Sequence, residues 1–335
     1  MTFERREKHQ RNPKLESLLT TLNDLLAEPE TRAISHLTAP QYPIVFVVGC
    51  ARSGSTLLTQ WIADLGLFGY PSNLLSRFYK APYIGALIQN MLTHPDYAFR
   101  EEMIDFQAKE IDYTSSLGKT AGALSPNSFQ YFWRQFFDFG VIQKLDPDAL
   151  ETVDRKTLSA ELAALEQVFE KPLAMKAMFL NWHIEFLYQI FPNALFLHIQ
   201  RDPLMNAQSL LSARQDFYGS IEPWYSYKPP EYAFLKDQSP YAQVAGQVLY
   251  TNRAITGQLA KIPKSHWLDI DYDSFCDDPA SVYSSLLEIL QLLSYGIPSP
   301  YEGPASFKKS DRVRLSDQEV LWITEALNNY QRTTI

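Results

Sequence analysis

Between Gly49 and Thr56 the chain reads Gly-Cys-Ala-Arg-Ser-Gly-Ser-Thr. Two glycines five positions apart, closing on a hydroxyl residue, give the G-x-x-x-x-G frame of a phosphate loop. Such a loop aims successive backbone N–H groups and a helix N-terminus at one point, where they stabilise an anion. Ser55 stands where a nucleoside-triphosphate hydrolase carries lysine, so β- and γ-phosphates would lack their counter-charge. The cation of this segment is Arg52 instead. A second set with the same leaning is Arg201-Asp202-Pro203, followed by Ser209. It offers a planar fork of donors and a hydroxyl from the next turns of chain. A third candidate is Lys176, which closes a short apolar run 25 residues before Arg201.

These residues need elements to hold them. Pro43 to Val48 is a β-rich apolar run ending at Gly49, and Ser55 to Leu65 continues in helical spacing, so the loop joins a strand to a helix. Lys156 to Glu170 reads as a helix and Leu173 to Met178 as a strand with Lys176 near its C-terminal end. Asn181 to Ile190 is helical and Ala194 to Gln200 is a strand that delivers Arg201. Pro203 to Arg214 is a helix with Asp202 as N-cap and proline in its first turn. A helix near 241–260, a strand near 267–272 and helices near 280–293 and 316–330 complete the pattern. Strands alternating with helices predict an α/β, P-loop-type three-layer fold, its central mostly parallel sheet flanked by helices.

At the N-terminus, residues 1–13 read as a polar, frayed tail. Leu15, Leu18, Leu19, Leu22, Leu25 and Leu26 then predict an amphipathic helix that stops before Pro29. The expected organisation is a tail and helix over 1–40 and one domain over 41–335. Insertions rich in aromatics and proline are expected near 69–125 and 217–240.

Composition sets limits on function. The 335 residues are 46% hydrophobic and 13% aromatic, enough for a large core, and the net charge is −8. That balance argues against a nucleic-acid binder, which needs an excess of Lys and Arg, but leaves room for an anionic ligand held by a few local cations. Two cysteines, Cys50 and Cys276, are too few for a disulfide framework or a zinc site. No apolar run approaches the ~20 residues of a membrane span, and the charged start lacks a signal-peptide core. A cytoplasmic protein without a transmembrane segment is expected.

Arg52-Ser-Gly-Ser-Thr-Leu-Leu58 after a strand ending in glycine resembles the 5′-phosphosulfate loop of sulfotransferases that use 3′-phosphoadenosine 5′-phosphosulfate (PAPS). Gly66-Leu-Phe-Gly69-Tyr-Pro71 is similar to the G-x-x-G-x-P that follows this loop in carbohydrate sulfotransferases. Arg201 and Ser209 match the Arg and Ser that grip the 3′-phosphate in that family. Phe191 to Arg201, Asp271 to Pro279 with Tyr272 on the adenine side, and Lys176 ahead of Arg201 also follow its pattern. Lys308 and Lys309 fall loosely where a basic stretch closes over the 3′-phosphate. The resemblance implies transfer of a sulfuryl group from PAPS to an acceptor hydroxyl, on a small molecule or a glycan, with release of 3′,5′-ADP and no metal. It implies cofactor contacts at Arg52, Ser53, Gly54, Ser55, Thr56, Leu57, Arg201, Ser209, Tyr272, Lys308 and Lys309. It also gives Lys176 and Arg52 catalytic positions beside the leaving phosphate.

The general base breaks the pattern. The position two residues after the lysine, histidine in cytosolic members, is Met178, and the glutamate position of the carbohydrate enzymes is Ser72-Asn73. His183 is the remaining histidine candidate, with Glu101, Glu102, Asp105 and Glu110 as carboxylate alternatives. A P-loop kinase or NTPase is disfavoured by Ser55, and a nucleotide-binding protein without activity is the alternative that the missing base suggests.

Overall fold

The computed structural model describes residues 4–100, 102, 106, 111–296 and 300–332. In chain order these form α1 (Pro13–Ile34), β1 (Val45–Gly49), α2 (Ser55–Asp64), α3 (Pro82–Thr93), α4 (Gln130–Phe136), α5 (Pro147–Glu151), α6 (Arg155–Phe169) and β2 (Ala174–Lys176). They continue as α7 (Ile184–Ile190), β3 (Leu195–Gln200), α8 (Pro203–Tyr218), α9 (Tyr232–Leu235), α10 (Pro240–Leu259), β4 (Trp267–Asp271), α11 (Tyr272–Asp277), α12 (Pro279–Leu292) and α13 (Asp317–Arg332). The four strands lie in the order β2-β1-β3-β4, and every pairing is parallel.

The sheet is buried on both faces, as parallel sheets with crossover helices are. Successive side chains of a strand point to opposite faces. Phe46 and Val48 accordingly join one core with Phe132, Trp133, Leu162 and Phe196. Val45 and Val47 join the other with Trp61, Leu197, Ile199 and Phe275. A third cluster packs α8 against α10 and α13. The chain passes from β1 to β2 on one side and returns to the other side as β3, so the C-terminal edge of β1 sits at a topological reversal, where open α/β sheets bind ligands. Gly49, Lys176, Gln200 and Asp271 end their strands along that edge.

Two expectations change at the N-terminus. The helix does not stop at Pro29 but runs through it to Ile34. Proline there forfeits one hydrogen bond to the turn before it, and the helix persists because Asn23, Glu30 and Ile34 are buried against the rest of the molecule. Asn23 reaches the backbone of Arg77 and Lys80, and the Glu30 carboxyl accepts from the N–H groups of Tyr83 and Ile84 at the start of α3. Nor do residues 4–11 fray: Arg6 N donates to the Phe217 carbonyl, His9 stacks on Phe217 at 4.8 Å, and Lys8 pairs with Asp216. The segment is strapped to the end of α8.

The 217–240 insertion is packed rather than loose, because Gln247 of α10 donates to the carbonyls of Tyr225 and Tyr227. No described helix is long and apolar enough to cross a membrane.

Glu30 faces Glu161 of α6 in the joint between α1, α3 and α6, and burial plus the neighbouring carboxyl push Glu161 well above the usual carboxylate range. A carboxyl whose folded pKa is raised stabilises the fold fully below its unfolded value and loses that contribution as pH rises toward its folded value. Glu161→Gln removes the titration. The variant is expected to melt higher than the parent at pH 9, with the difference shrinking toward pH 5, measured by thermal melts across that range.

Candidate active site

Asn181 fixes the end of β1. Its side-chain amide donates to the Gly49 carbonyl at 2.9 Å, and its oxygen accepts from the Gly49 N–H at 3.2 Å. Asn206 of α8 holds the next turn through the Ala51 carbonyl at 2.8 Å. Between these clamps the chain reverses with Arg52 at φ 69° and Gly54 at φ 103°. Gly54 leads into α2 with no side chain capping its first turn, so the N–H groups of that turn are left for a ligand. A β-carbon on Gly54 would lie 2.3 Å from the Tyr272 ring. The glycine therefore serves both the left-handed turn and the close approach of that ring. Ser53 lies beneath the loop, and its buried hydroxyl has no hydrogen-bond partner.

Lys176 comes up beside this loop from the end of β2. Its strand end is fixed by the Trp133 indole donating to its carbonyl at 3.0 Å, and its ammonium donates to Thr56 Oγ1 at 2.9 Å. Burial pushes Lys176 down to about 7, with Lys119 and Arg52 adding repulsion. From the other side α8 brings Ser209, whose hydroxyl accepts from Arg52 Nε at 3.2 Å. Arg201 leaves β3 over the Tyr272 ring at 4.7 Å and donates to the Ser310 carbonyl, while its buried Nε has no partner. The two sequence motifs thus converge on one cleft of about 810 Å³, lined by Arg52, Gly54 to Leu57, Lys176, Arg201, Ser209 and Tyr272.

Four expected residues sit elsewhere. His183 is 3% exposed and outside the cleft; its Nε2 accepts from Leu145 N–H at 3.0 Å and faces the Gln143 carbonyl, and burial lowers it to about 4. It is a neutral ring bracing the approach to α5. Lys309 pairs with Asp277 on the surface, and neither it nor Lys308 lines the cleft. The segment contributes its backbone instead, through Ser310. Glu102 is exposed and off the cleft, while Glu101, Asp105 and Glu110 lie outside the described residues.

Nothing in the local pattern marks Asn181 and Asn206 as loop clamps, although an asparagine between Leu180 and Trp182 is the kind of polar residue an apolar turn must pair. Nor does that pattern point to Tyr225 and Lys119, which line the cleft from the two insertions. Among the described residues no group of three His, Cys, Asp or Glu side chains is placed to hold a metal.

A profile of the sulfotransferase family matches residues 43–293, the span that carries the loop, Lys176, Arg201 and Tyr272. The chain belongs to the sulfotransferase family. Its fold is similar to that of the sulfotransferase STF9 from Mycobacterium avium, with a TM-score of 0.51 at 13% identity over 96% of this chain and 79% of that one. The sulfotransferase STF1 from Mycobacterium tuberculosis H37Rv gives 0.48 at 13% identity, covering 92% and 79%. The sulfotransferase domain of the curacin biosynthetic pathway gives 0.42 at 16%, covering 89% and 93%. Comparison with curated proteins gives no match. As a member of that family this chain is a PAPS-dependent enzyme, and its cleft suits an anionic nucleotide: orphaned buried donors at Ser53 and Arg201, an uncapped helix start, and three cations, Arg52, Lys176 and Arg201, that pair with no carboxylate among the described residues.

The loop of this sulfotransferase is a steric prediction. Gly54→Ala would combine a left-handed alanine with a collision against Tyr272, for a loss of about 2–4 kcal/mol. Gly257→Ala in α10, with nothing within 4 Å, is expected to be neutral or stabilising. Denaturant melts of the two variants check the contrast.

Proposed function

We propose that this sulfotransferase moves the sulfuryl group of PAPS onto a hydroxyl of a glycan or glycolipid and releases 3′,5′-ADP. The observation that carries the assignment of residues is the hydrogen bond from Arg52 to Ser209, which ties the phosphate loop to the second anion motif from 157 residues away. This contact supports a single ligand that meets both. The N–H groups of the loop and α2, with Ser53, Ser55 and Thr56, suit the 5′-phosphosulfate. Arg201 and Ser209 suit the 3′-phosphate, and Tyr272 suits the adenine side. A cytoplasmic site of action belongs to this reading and is supported by two buried cysteines without a disulfide.

The reaction breaks the bond between sulfur and the phosphate oxygen, forms one from sulfur to the acceptor oxygen, and sends the hydroxyl proton to a base. Negative charge grows on the leaving phosphate, and groups aimed there before the reaction lower the barrier most. Lys176 fits this role: bound beside an anion it takes up a proton, and its ammonium can turn from Thr56 to the leaving oxygen. Arg52 supplies a second charge. Among the described residues lining the cleft, only His9 and Glu16 offer an imidazole or a carboxylate. Both belong to the N-terminal segment, and they are the groups that can take the acceptor proton.

Two measurements test this reading. The wild type is expected to bind 3′,5′-ADP but not ATP with Mg²⁺ by calorimetry. Arg201→Ala is expected to lose about tenfold or more, the size of one charge-assisted hydrogen bond, and Ser209→Ala less. Equal affinity for nucleotides with and without the 3′-phosphate would reject the assignment. In single-turnover transfer from labelled PAPS across a panel of glycan acceptors, Lys176→Ala is expected to lower the rate by roughly two to three orders of magnitude, a larger loss than its effect on nucleotide affinity. Tight 3′,5′-ADP binding with no transfer to any hydroxyl would favour a non-catalytic binder.

A further inference from the structure

The turn that ends the first insertion has a charge to spare. Ser116 and Lys119 exchange two backbone hydrogen bonds at 2.9 Å, and Leu117 and Gly118 between them have φ 49° and 79°. Two consecutive left-handed residues make a tight, stiff hairpin turn. It is anchored across the cleft by the Tyr225 hydroxyl donating to the Leu117 carbonyl at 3.2 Å. A β-carbon on Gly118 would touch Thr56 Oγ1 at 3.4 Å, so the turn lies directly against the phosphate loop. Lys119 is thereby held near Lys176, whose pKa it lowers.

Lys119 pairs with no carboxylate among the described residues. Burial and the nearby Arg5 both push its pKa down, as befits a cation awaiting an anion. It lines the cleft and also a neighbouring cavity of about 620 Å³, which shares Ser128, Gln130 and Tyr131 with it. That second cavity has Arg77 and Lys119 as its only charged lining residues and no carboxylate. In the cleft itself Glu16 is the one carboxylate lining, against eight Lys and Arg side chains. Among the described residues Lys119 is the one cation that lines both spaces, so it stands where the cleft opens into the second cavity. An acid group on the acceptor supplies this lining with a counter-charge that a neutral hydroxyl compound would not.

We propose that Lys119 anchors the acceptor, and that the acceptor carries an anionic group, a carboxylate or a phosphate ester, close to the hydroxyl that is sulfated. The inference rests on the PAPS reading above and specifies its acceptor. The reacting hydroxyl faces Lys176 and Thr56, while the acid group lies toward the second cavity between Lys119 and Arg77. The turn holds the Lys119 backbone in place before binding, so the freedom lost on contact is that of the side chain alone.

The test uses the full chain saturated with 3′,5′-ADP, so that the nucleotide site is filled. Methyl glucuronide, its neutral glucuronamide and methyl glucoside 6-phosphate are titrated into this complex by calorimetry. The wild type is expected to prefer an anionic probe over the amide by about tenfold or more, the worth of one charge-assisted contact. The ratio should fall near one in Lys119→Gln and be largely restored in Lys119→Arg. The two anionic probes distinguish carboxylate from phosphate ester. An equal response to amide and acids in the wild type would overturn the proposal. So would a Lys119→Gln variant that keeps the anion preference, or one that instead loses affinity for 3′,5′-ADP as Arg201→Ala does. Failure of the wild type to bind 3′,5′-ADP at all would be a failure of the PAPS reading, visible before any acceptor is added.

Discussion

Arg52, Lys176 and Arg201 are gathered at one edge of a buried parallel sheet, and among the described residues no carboxylate pairs with any of them. Placing like charges together out of water is costly unless something compensates. Hydroxyls, a backbone carbonyl and an aromatic face supply part of that compensation. Arg52 leans on Ser209, Lys176 on Thr56, and Arg201 on the Ser310 carbonyl and the Tyr272 ring. Lys176 answers the remainder by lowering its pKa to about 7. The architecture around the site can be understood as the means of holding this charge in place for a ligand.

Each element of that support has a separate origin in the chain. The switch in strand order puts the ends of β1, β2 and β3 side by side, so a loop, a lysine and an arginine from distant segments share one crevice. Trp133 fixes the end of β2 and Asn181 the end of β1, both by hydrogen bonds to backbone groups that the parallel ladder leaves over. The insertions then cover the crevice: Tyr225 comes from one and Lys119 from the other, and the Tyr225 hydroxyl joins the two by donating to the Leu117 carbonyl. Residues 4–11 complete the rim by docking on the end of α8. The rim is therefore built from segments outside the strands.

How much of this could be read in advance follows the range of the interactions concerned. The phosphate loop, Arg201 with Ser209 and the strand ending in Lys176 are local patterns whose chemistry is written in adjacent residues, and the structure brings them into one cleft. The N-terminal helix was legible except for its passage through Pro29, where tertiary burial of Glu30 and Ile34 outweighs a local stop signal. His183 and Lys309 illustrate the converse. Near the motifs in sequence, they are turned away by partners that no spacing reveals, the Leu145 N–H for one and Asp277 for the other. Lys119, the strap carrying His9, and Glu16 near the start of α1 could not be read at all, since their place depends on contacts with Thr56, Tyr225, Phe217 and Tyr131 made over more than fifty residues of separation.

The central claim is that a buried, partly deprotonated Lys176 becomes charged when the nucleotide arrives. Calorimetry of 3′,5′-ADP binding at pH 8, repeated in buffers of different ionisation enthalpy, measures the protons taken up. A lysine near 7 in the empty cleft that rises well above 8 beside the 5′-phosphate predicts uptake of about one proton by the wild type and almost none by Lys176→Met. A wild-type binding enthalpy that does not vary with the buffer, or an uptake that persists in Lys176→Met, would contradict the account.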